Sequence, residues 1–233
     1  MLLGLFDSGS GGMNTVRYIK KYSPEIDLVY LIDKPNAPYG IKSEKELVDI
    51  TRENVKRLTD LGACRVLIAC CTASTVHGLL PSEERSVSVP IVKEVARAAK
   101  ISTRLGRIGV IGTSHTVNTH IFKTELTECA VYERALGELV GMIDQGLSDA
   151  TTTVEDEEIL TEMLMPLLDE DIDTLVLGCT HFPALIKTIT KITRPYGVRA
   201  VIDSALIGAQ LLAKEHKKLN GLIKTPRHAW QRR

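Results

Sequence analysis

The amino-acid sequence predicts an α/β protein of two similar lobes, each with a parallel sheet flanked by helices, related by a pseudo-twofold axis and separated by an active-site cleft. Short apolar runs alternate with helical segments, which is typical of parallel sheets. Two of the runs, at 66–70 and 174–179, end at a thiol followed closely by a threonine. Because ligands bind at the carboxyl ends of strands in open α/β sheets, we interpret these two ends as halves of one site.

The composition indicates a globular protein without a nucleic-acid surface. The chain has 233 residues, a formal net charge of zero, 44% hydrophobic residues and 25% charged residues. Zero net charge gives no electrostatic reason to expect a nucleic-acid partner. The first residues lack a basic segment and reach Asp7 too early for a signal peptide, and no apolar run has membrane-spanning length. We therefore expect a cytoplasmic protein that does not bind membranes.

The five cysteines fall into two groups. Their spacing resembles neither a zinc site nor a disulfide framework, so we expect free thiols and no bound metal. Cys64 and Cys129 have no polar companions and are expected to be small buried hydrophobic residues. Cys70, Cys71 and Cys179 each lie close to a threonine and a turn, which favours a role in a site.

The first half of the chain contains four predicted strands and four predicted helices. A glycine-rich turn at 7–12 joins the first strand to the first helix and leaves backbone N–H groups free for an anion. Two prolines and a glycine at 33–40 predict a loop without regular structure. Ser43 and Glu46 form a capping box that begins a helix. The strands are expected at 4–6, 28–32, 66–69 and 89–92, and the helices at 15–22, 43–62, 74–80 and 94–100.

The second half repeats this alternation. A strand with glycines runs into a hydroxyl-rich turn at 113–116. The helix at 155–168 is amphipathic and is expected to direct Ile159, Met163 and Leu167 towards the core. The remaining tail, 218–233, contains a proline and basic residues and is expected to be mobile. The strands are expected at 107–112, 130–132, 174–177 and 200–202, and the helices at 120–126, 136–146, 184–193 and 204–217.

The two halves correspond to each other. Segment 4–8 matches 109–113, and segment 67–72 matches 175–180. We place the lobe boundary near 101–104. The last helix can cross back to the first lobe, so the predicted first lobe is 1–100 together with 205–233, and the second lobe is 101–204.

Five motifs, in this order along the chain, resemble those of the glutamate racemases. They are Phe6-Asp7-Ser8-Gly9-Ser10-Gly11-Gly12, Pro38-Tyr39-Gly40, Cys70-Cys71-Thr72-Ala73-Ser74, Gly178-Cys179-Thr180-His181 and Ile202-Asp203-Ser204. The resemblance spans residues 4 to about 213. The wider family includes aspartate and hydantoin racemases, and the first motif resembles the glutamate branch.

This resemblance implies a cofactor-independent racemase with two thiols, which converts L- and D-glutamate into each other and supplies D-glutamate for peptidoglycan. It implies Cys70 and Cys179 as the catalytic pair, with Asp7 and His181 assisting them. It also implies an acidic residue near the end of the helix at 136–146, which is Asp144 here. The residues implied to contact the substrate are Ser8, Pro38, Tyr39, Gly40, Cys71, Thr72 and Thr180.

The sequence departs from the family pattern near the expected site. Cys71 stands where the family has Asn, Asp144 where it has Glu, Asn36 where it has Arg and His115 where it has Gly. Matching the two Cys-Thr pairs directly would align Cys71 with Cys179, so the sequence alone leaves open which thiol acts.

Three functions remain as alternatives at this point. The first is glutamate racemisation. The second is racemisation of another acidic amino acid, such as aspartate, which Cys71 and Asn36 suggest. The third is a non-catalytic homologue that keeps the cleft for binding. The expected partner is a small-molecule substrate, with no cofactor, and the resemblance leaves room for a homodimer.

Overall fold

The protein consists of two four-stranded parallel sheets flanked by helices, in a computed structural model that describes residues 1–224. The strand orders are β2-β1-β3-β4 and β6-β5-β7-β8, so the second sheet repeats the first. This confirms the predicted fold class of two similar parallel α/β lobes. The strands are β1 (Leu2–Asp7), β2 (Asp27–Ile32), β3 (Val66–Ile68), β4 (Ser88–Pro90), β5 (Arg107–Gly112), β6 (Ala130–Ala135), β7 (Thr174–Gly178) and β8 (Ala200–Asp203).

Helices connect successive strands, as parallel pairing requires. The two longest helices both begin at a side-chain cap. The Ser43–Glu46 capping box, which the sequence predicts, is present at the start of α2, and the Asp203 side chain caps α11. The helices are α1 (Gly12–Tyr22), α2 (Glu44–Asp60), α3 (Cys71–Ser74), α4 (Ser82–Val87), α5 (Ile91–Ser102), α6 (Ser114–Asn118), α7 (Ile121–Glu125), α8 (Gly137–Asp144), α9 (Val154–Leu168), α10 (Ile186–Thr193) and α11 (Ser204–Lys224).

The hydrophobic core has three parts. One lies on the outer side of the first sheet, against α2, and one lies on the outer side of the second sheet, against α9 and α10. The third contains residues of both sheets, including Leu5 and Leu67 of the first and Val110 and Val176 of the second. This shared core joins the lobes and holds the carboxyl ends of their central strands side by side.

The last helix extends beyond its expected end. It was expected to stop at 217, but α11 continues to Lys224, so the first part of the expected mobile tail is helical. Residues 225–233, including His228, lie outside the described residues. The helix packs mainly against α1 and α5. That contact supports our proposal that it belongs to the first lobe.

Asp203 joins the lobes at the start of α11. Its Oδ1 atom accepts hydrogen bonds from the backbone N–H groups of Ala205 and Leu206, at 2.8 and 3.1 Å. Its Oδ2 atom accepts one from the hydroxyl of Tyr18 in α1, at 2.8 Å. The residue therefore caps a helix and fixes α1 to the end of β8 at the same time.

Several expected elements differ in detail. The predicted helix at 74–80 is instead the four-residue α3 followed by a 3₁₀ turn at His77–Leu79, and the loop at 33–40 contains 3₁₀ turns at Lys34–Asn36 and Tyr39–Ile41. The predicted core face of α9 is confirmed at Leu167, which is buried, but is wrong at Ile159, which is 38% exposed. Leu160 and Leu164 are buried instead, and Met163 is partly buried against the same core. Both sets of positions have helical spacing, so only packing against the second sheet selects between them.

Two of the cysteine expectations also need correction. Cys64 is exposed, and Cys129 is only partly buried at the edge of the shared core, because both lie in the connections that precede β3 and β6. Among residues 1–224, no helix is both long and apolar enough to cross a membrane.

Candidate active site

A cavity of about 560 Å³ lies where the carboxyl ends of the two sheets meet. It is lined by residues of both lobes, as the two-half interpretation predicts. Of the expected site residues, the first lobe contributes Ser8, Pro38, Tyr39, Gly40, Cys70, Cys71 and Thr72. The second lobe contributes Asp144, Cys179, Thr180 and His181. Asp7 does not line the cavity and is completely buried.

The register of the two sheets defines which residues of the lobes are equivalent. Strands β1 and β5 each have six residues, with one partly buried residue followed by five buried ones. Aligning the strands in this way makes Gly4 equivalent to Gly109. Gly4 pairs with Val66 on β3, and Gly109 pairs with Leu175 on β7. Val66 and Leu175 are therefore equivalent positions on the strands that lead into the site.

The same register pairs the thiols of the two lobes. Counting four residues on from each of these equivalent positions reaches Cys70 in the first lobe and Cys179 in the second. Cys71 then corresponds to Thr180, which has no thiol. Cys70 and Cys179 are thus the pair related by the internal repeat, and this supports Cys70 as the acting thiol of the first lobe.

Cys70 lies at the N-cap position of α3. Its sulfur is 3.6 Å from the hydroxyl oxygen of Ser8. Burial and the nearby Asp7 carboxylate raise the pKa of the Cys70 thiol to about 11, whereas the backbone N–H groups of Ala73 and Thr72 and the Ser8 hydroxyl act in the opposite direction. The local geometry therefore offers hydrogen-bond donors to a thiolate that burial otherwise disfavours.

Cys71 has a different environment. It is 2% exposed and packs in the core that the two lobes share. Burial, followed by the charges of Cys70 and Cys179, raises the pKa of the Cys71 thiol well above its usual value, and no hydrogen bond to the sulfur opposes the shift. It contributes part of the cavity wall and lacks the donors that surround Cys70.

On the opposite side, Cys179 follows β7 directly and contacts an imidazole. Its sulfur is 3.7 Å from Nδ1 of His181. Nε2 of the same ring is 3.4 Å from Oδ1 of Asp144. Burial raises the pKa of the Cys179 thiol, and the backbone N–H of His181 acts in the opposite direction. Thiol, imidazole and carboxylate therefore form a continuous chain that can accept or return a proton.

Asp7 ends β1 and is buried next to the first thiol. Its Oδ1 atom accepts a hydrogen bond from the backbone N–H of Gly9 at 3.0 Å. Within the described part of the chain its Oδ2 atom has no hydrogen-bond partner. Burial raises the pKa of Asp7, while the Gly9 N–H, the nearby His181, the Thr180 hydroxyl and the Gly12 N–H favour the charged form. The neighbours of this buried carboxylate therefore come from both lobes.

The loop that carries Pro38, Tyr39 and Gly40 is held by a buried carboxylate. Asp33 accepts hydrogen bonds from the Tyr39 hydroxyl at 2.6 Å and from Nδ2 of Asn54 at 2.9 Å. Burial alone would raise the pKa of Asp33, but hydrogen bonds from Tyr39, Asn54 and Asn36 outweigh it and lower the pKa. The Tyr39 hydroxyl also accepts from Asn54 at 2.9 Å, so we expect its backbone, rather than its phenol, to face a ligand.

Replacing Asn54 by alanine tests this support. Asn54 is 1% exposed, and its loss removes one donor from each of two buried acceptors, Asp33 and the Tyr39 hydroxyl. We expect the free energy of unfolding to fall by about 2–3 kcal/mol, and KM to rise because the 38–40 loop loses its anchor. Urea denaturation and steady-state kinetics measure the two effects. Asn118→Ala, at an exposed helix end, is the control and should change neither. An unchanged KM in a destabilised Asn54→Ala protein would contradict the link to the site.

The second lobe adds a cluster of threonines that sequence reasoning did not select. The hydroxyl oxygen of Thr72 is 2.9 Å from that of Thr113 and 3.2 Å from that of Thr116. The N-terminal turn of α6 thus meets α3 across the cleft. The glycine at 40 allows this close approach, because a Cβ atom at Gly40 would be 3.1 Å from Cβ of Thr113 and would crowd it.

A comparison with known proteins identifies the family to which the chain belongs. Residues 14–212 match the family model described as Asp/Glu/Hydantoin racemase. The chain belongs to this racemase family. The family match supports an enzyme of the isomerase class.

Individual racemases match over most of the chain. The glutamate racemase of Persephonella marina is 35% identical over 226 residues, covering 95% of this chain and 85% of the relative. A glutamate racemase isoform from Bacillus anthracis has a structure that matches with a TM-score of 0.83 and 31% identity, over 93% of this chain and 82% of that one. The structure of the Francisella tularensis glutamate racemase in complex with D-glutamate matches with a TM-score of 0.82 and 27% identity, over 97% and 83%.

Sequence reasoning missed several residues of this racemase site. Asn54 and Asp33 support the 38–40 loop, Thr113 and Thr116 contact Thr72, and Ser10 contacts Asp144. Ser10 lies in the 6–12 motif and Thr113 lies in the hydroxyl-rich turn, but the sequence assigns neither of them a role in the site. Asn54 carried no signal, because a polar residue within a helix is usually exposed.

Proposed function

We propose that this racemase interconverts L- and D-glutamate without a cofactor, with Cys70 and Cys179 as its two acid–base groups. The observation that carries the proposal is that equivalent positions of the two lobes place one thiol each on the wall of a single cavity. Inversion at a tetrahedral carbon needs a proton to leave one face and another to arrive at the opposite face. We propose that the two thiols, one from each lobe, meet this requirement by approaching the substrate from opposite faces.

In the proposed reaction, one cysteine passes its proton to a neighbouring side chain and so becomes a thiolate when substrate is bound, while the other remains a thiol. The thiolate takes the α-proton, and the electron pair of the broken C–H bond is delocalised into the α-carboxylate. The opposite thiol then donates its proton to the other face, where the new C–H bond forms. The charges of the two sulfurs are exchanged at the end, and reaction in the reverse direction restores them.

Neighbouring groups supply the proton movement that buried thiols need. Burial raises the pKa of both thiols, so little of either is present as the thiolate near neutrality without assistance. His181 contacts Cys179 at 3.7 Å and is proposed to accept its proton, with Asp144 behind the ring. Asp7 acts on the Cys70 side, where its buried carboxylate can polarise the thiol; the alternative that it holds the substrate ammonium requires the cavity to extend to Asp7.

Polar groups without formal positive charge are proposed to hold the substrate carboxylates. Ser8, Thr72 and Thr180 provide hydroxyls at the cavity wall, and the 38–40 loop provides backbone groups. Aspartate remains the second candidate, because Cys71 replaces the usual Asn and offers only weak hydrogen bonds. The glutamate racemases among the matched relatives favour glutamate.

Incubation of the purified protein with each glutamate enantiomer tests the function. We expect the circular dichroism signal of either enantiomer to decay to zero without added cofactor, with deuterium appearing at the α-carbon in D₂O. Aspartate, assayed in parallel, should react at least about 100-fold more slowly, because it is one methylene shorter and cannot reach both carboxylate sites. Activity on aspartate alone, or exchange of neither amino acid, would overturn the assignment.

The setting of the reaction is also part of the proposal. We propose that the enzyme works in the cytoplasm, where it supplies D-glutamate for peptidoglycan. The family resemblance favours a homodimer, and light scattering coupled to size-exclusion chromatography measures the mass that decides it.

A further inference from the structure

We propose that Ser10 is a positioning residue for the Cys179 half of the reaction, because its hydroxyl holds Asp144 against His181. The inference rests on the proposed racemisation and adds a residue to it. Ser10 belongs to the first lobe, in the turn between β1 and α1, whereas Asp144 and His181 belong to the second. The serine therefore completes, from across the cleft, a proton chain whose other members all come from the opposite lobe.

The contacts place three polar atoms together. The Ser10 hydroxyl donates to Oδ1 of Asp144 at 3.0 Å, and its oxygen is 3.4 Å from Nε2 of His181. The same Oδ1 atom is 3.4 Å from the same ring nitrogen. The serine thus contacts both Asp144 and His181. It meets the imidazole at Nε2, whereas Cys179 lies next to Nδ1.

The backbone around Ser10 is held close to the second lobe. A Cβ atom at Gly9 would lie 3.3 Å from the His181 ring, and one at Gly11 would lie 2.5 Å from Oγ1 of Thr180. Just beyond the turn, Nδ2 of Asn14 donates to the Thr180 carbonyl at 3.1 Å. The two glycines permit this approach, and the serine between them is the side chain that the turn presents to Asp144.

Asp144 needs such a partner. Its side chain is 52% exposed, whereas that of His181 is only 7% exposed. A carboxylate at the exposed end of α8 samples several rotamers, and water competes for its hydrogen bonds. Aspartate is also one methylene shorter than the glutamate that the family usually has at this position. A hydrogen bond from Ser10 restricts the short side chain to the rotamer that reaches the imidazole.

Ser10→Ala removes the hydroxyl and tests the inference. We expect kcat/KM to fall roughly tenfold, by the same factor for both enantiomers because their free energies are equal. The α-deuterium isotope effect should rise only for the enantiomer whose proton Cys179 removes, since only that proton transfer is slowed. Ser10→Thr keeps the hydroxyl and should restore both values. Ser86→Ala removes an exposed serine hydroxyl bonded to the Glu83 carbonyl, away from the cavity, and is the matched control.

Thiol alkylation gives a readout that does not depend on glutamate turnover. With iodoacetamide at pH 8, we expect Cys179 to react several-fold more slowly in Ser10→Ala than in wild type, while Cys70 reacts at an unchanged rate. A general opening of the cleft would change both thiols. The wild-type protein could fail to racemise glutamate while Cys179 is still alkylated more slowly in Ser10→Ala than in wild type. In that case the proposed function fails and the role of Ser10 stands. Equal isotope effects and equal alkylation rates in Ser10→Ala and wild type overturn the positioning role of Ser10.

Discussion

Replacing Cys70 by alanine is expected to reduce kcat for glutamate racemisation at least about 1000-fold, and Cys179→Ala should have an effect of similar size. Each substitution removes one of the two groups that exchange a proton with the α-carbon. The remaining thiol can still remove and return a proton on its own face. In D₂O, α-proton exchange should therefore persist for one enantiomer in Cys70→Ala and for the other enantiomer in Cys179→Ala.

Cys71→Ala is the matched control, because it removes the adjacent thiol from the same cavity wall. We expect it to lower kcat by no more than about tenfold and to retain exchange of both enantiomers, since Cys71 packs in the shared core and lacks donors to its sulfur. Far-ultraviolet circular dichroism verifies that each variant is folded. Loss of activity in Cys71→Ala with activity retained in Cys70→Ala would reverse the assignment of the acting thiol.

The free energy of unfolding is expected to fall steeply as the pH rises above about 8.5. Burial raises the pKa of the thiols of Cys70, Cys71 and Cys179, that of Cys70 to about 11. The unfolded chain loses these protons near pH 8.5, whereas the folded protein retains them. Each thiol therefore contributes stability that is complete below that pH and is lost as the pH rises towards its folded pKa, at about 1.4 kcal/mol per pH unit.

Urea denaturation at pH 7.5, 9 and 10 measures this dependence. We expect the slope for Cys71→Ala to be shallower than that of wild type by about 1.4 kcal/mol per pH unit, because one retained proton is removed. Cys64→Ala removes an exposed thiol and should leave the wild-type slope unchanged. The explanation by buried thiols is wrong if the slopes of Cys71→Ala and wild type coincide.

Local patterns were sufficient for most of the fold. The alternation of apolar runs and helices predicts the two parallel sheets, and the internal repeat predicts their equal strand order. The capping box at Ser43 predicts the start of α2, because it depends only on residues three apart. The expected limits of α3 and the expected buried face of α9 differ from the structure. In both places, packing against distant parts of the chain decides the outcome.

The family of the protein follows from five short motifs, each of which is contiguous in the chain. The proposed lobe limits, 1–100 with 205–233 and 101–204, follow from the same repeat and stay a prediction. The site needed more than motifs, because the residues that assist the predicted ones come from distant segments. Asp33 and Asn54 meet around Tyr39, and Ser10 meets Asp144, only after the chain has folded.

The sequence by itself determined the α/β architecture, the racemase family and the two segments that end in thiols. Only the tertiary structure distinguished Cys70 from Cys71, because both are buried thiols on the cavity wall and they differ in the groups that contact their sulfur atoms. The sheet register makes Cys70 the equivalent of Cys179 and leaves Cys71 in the shared core. The physical reason is that pairing between strands, which fixes this register, is formed by residues far apart in the chain.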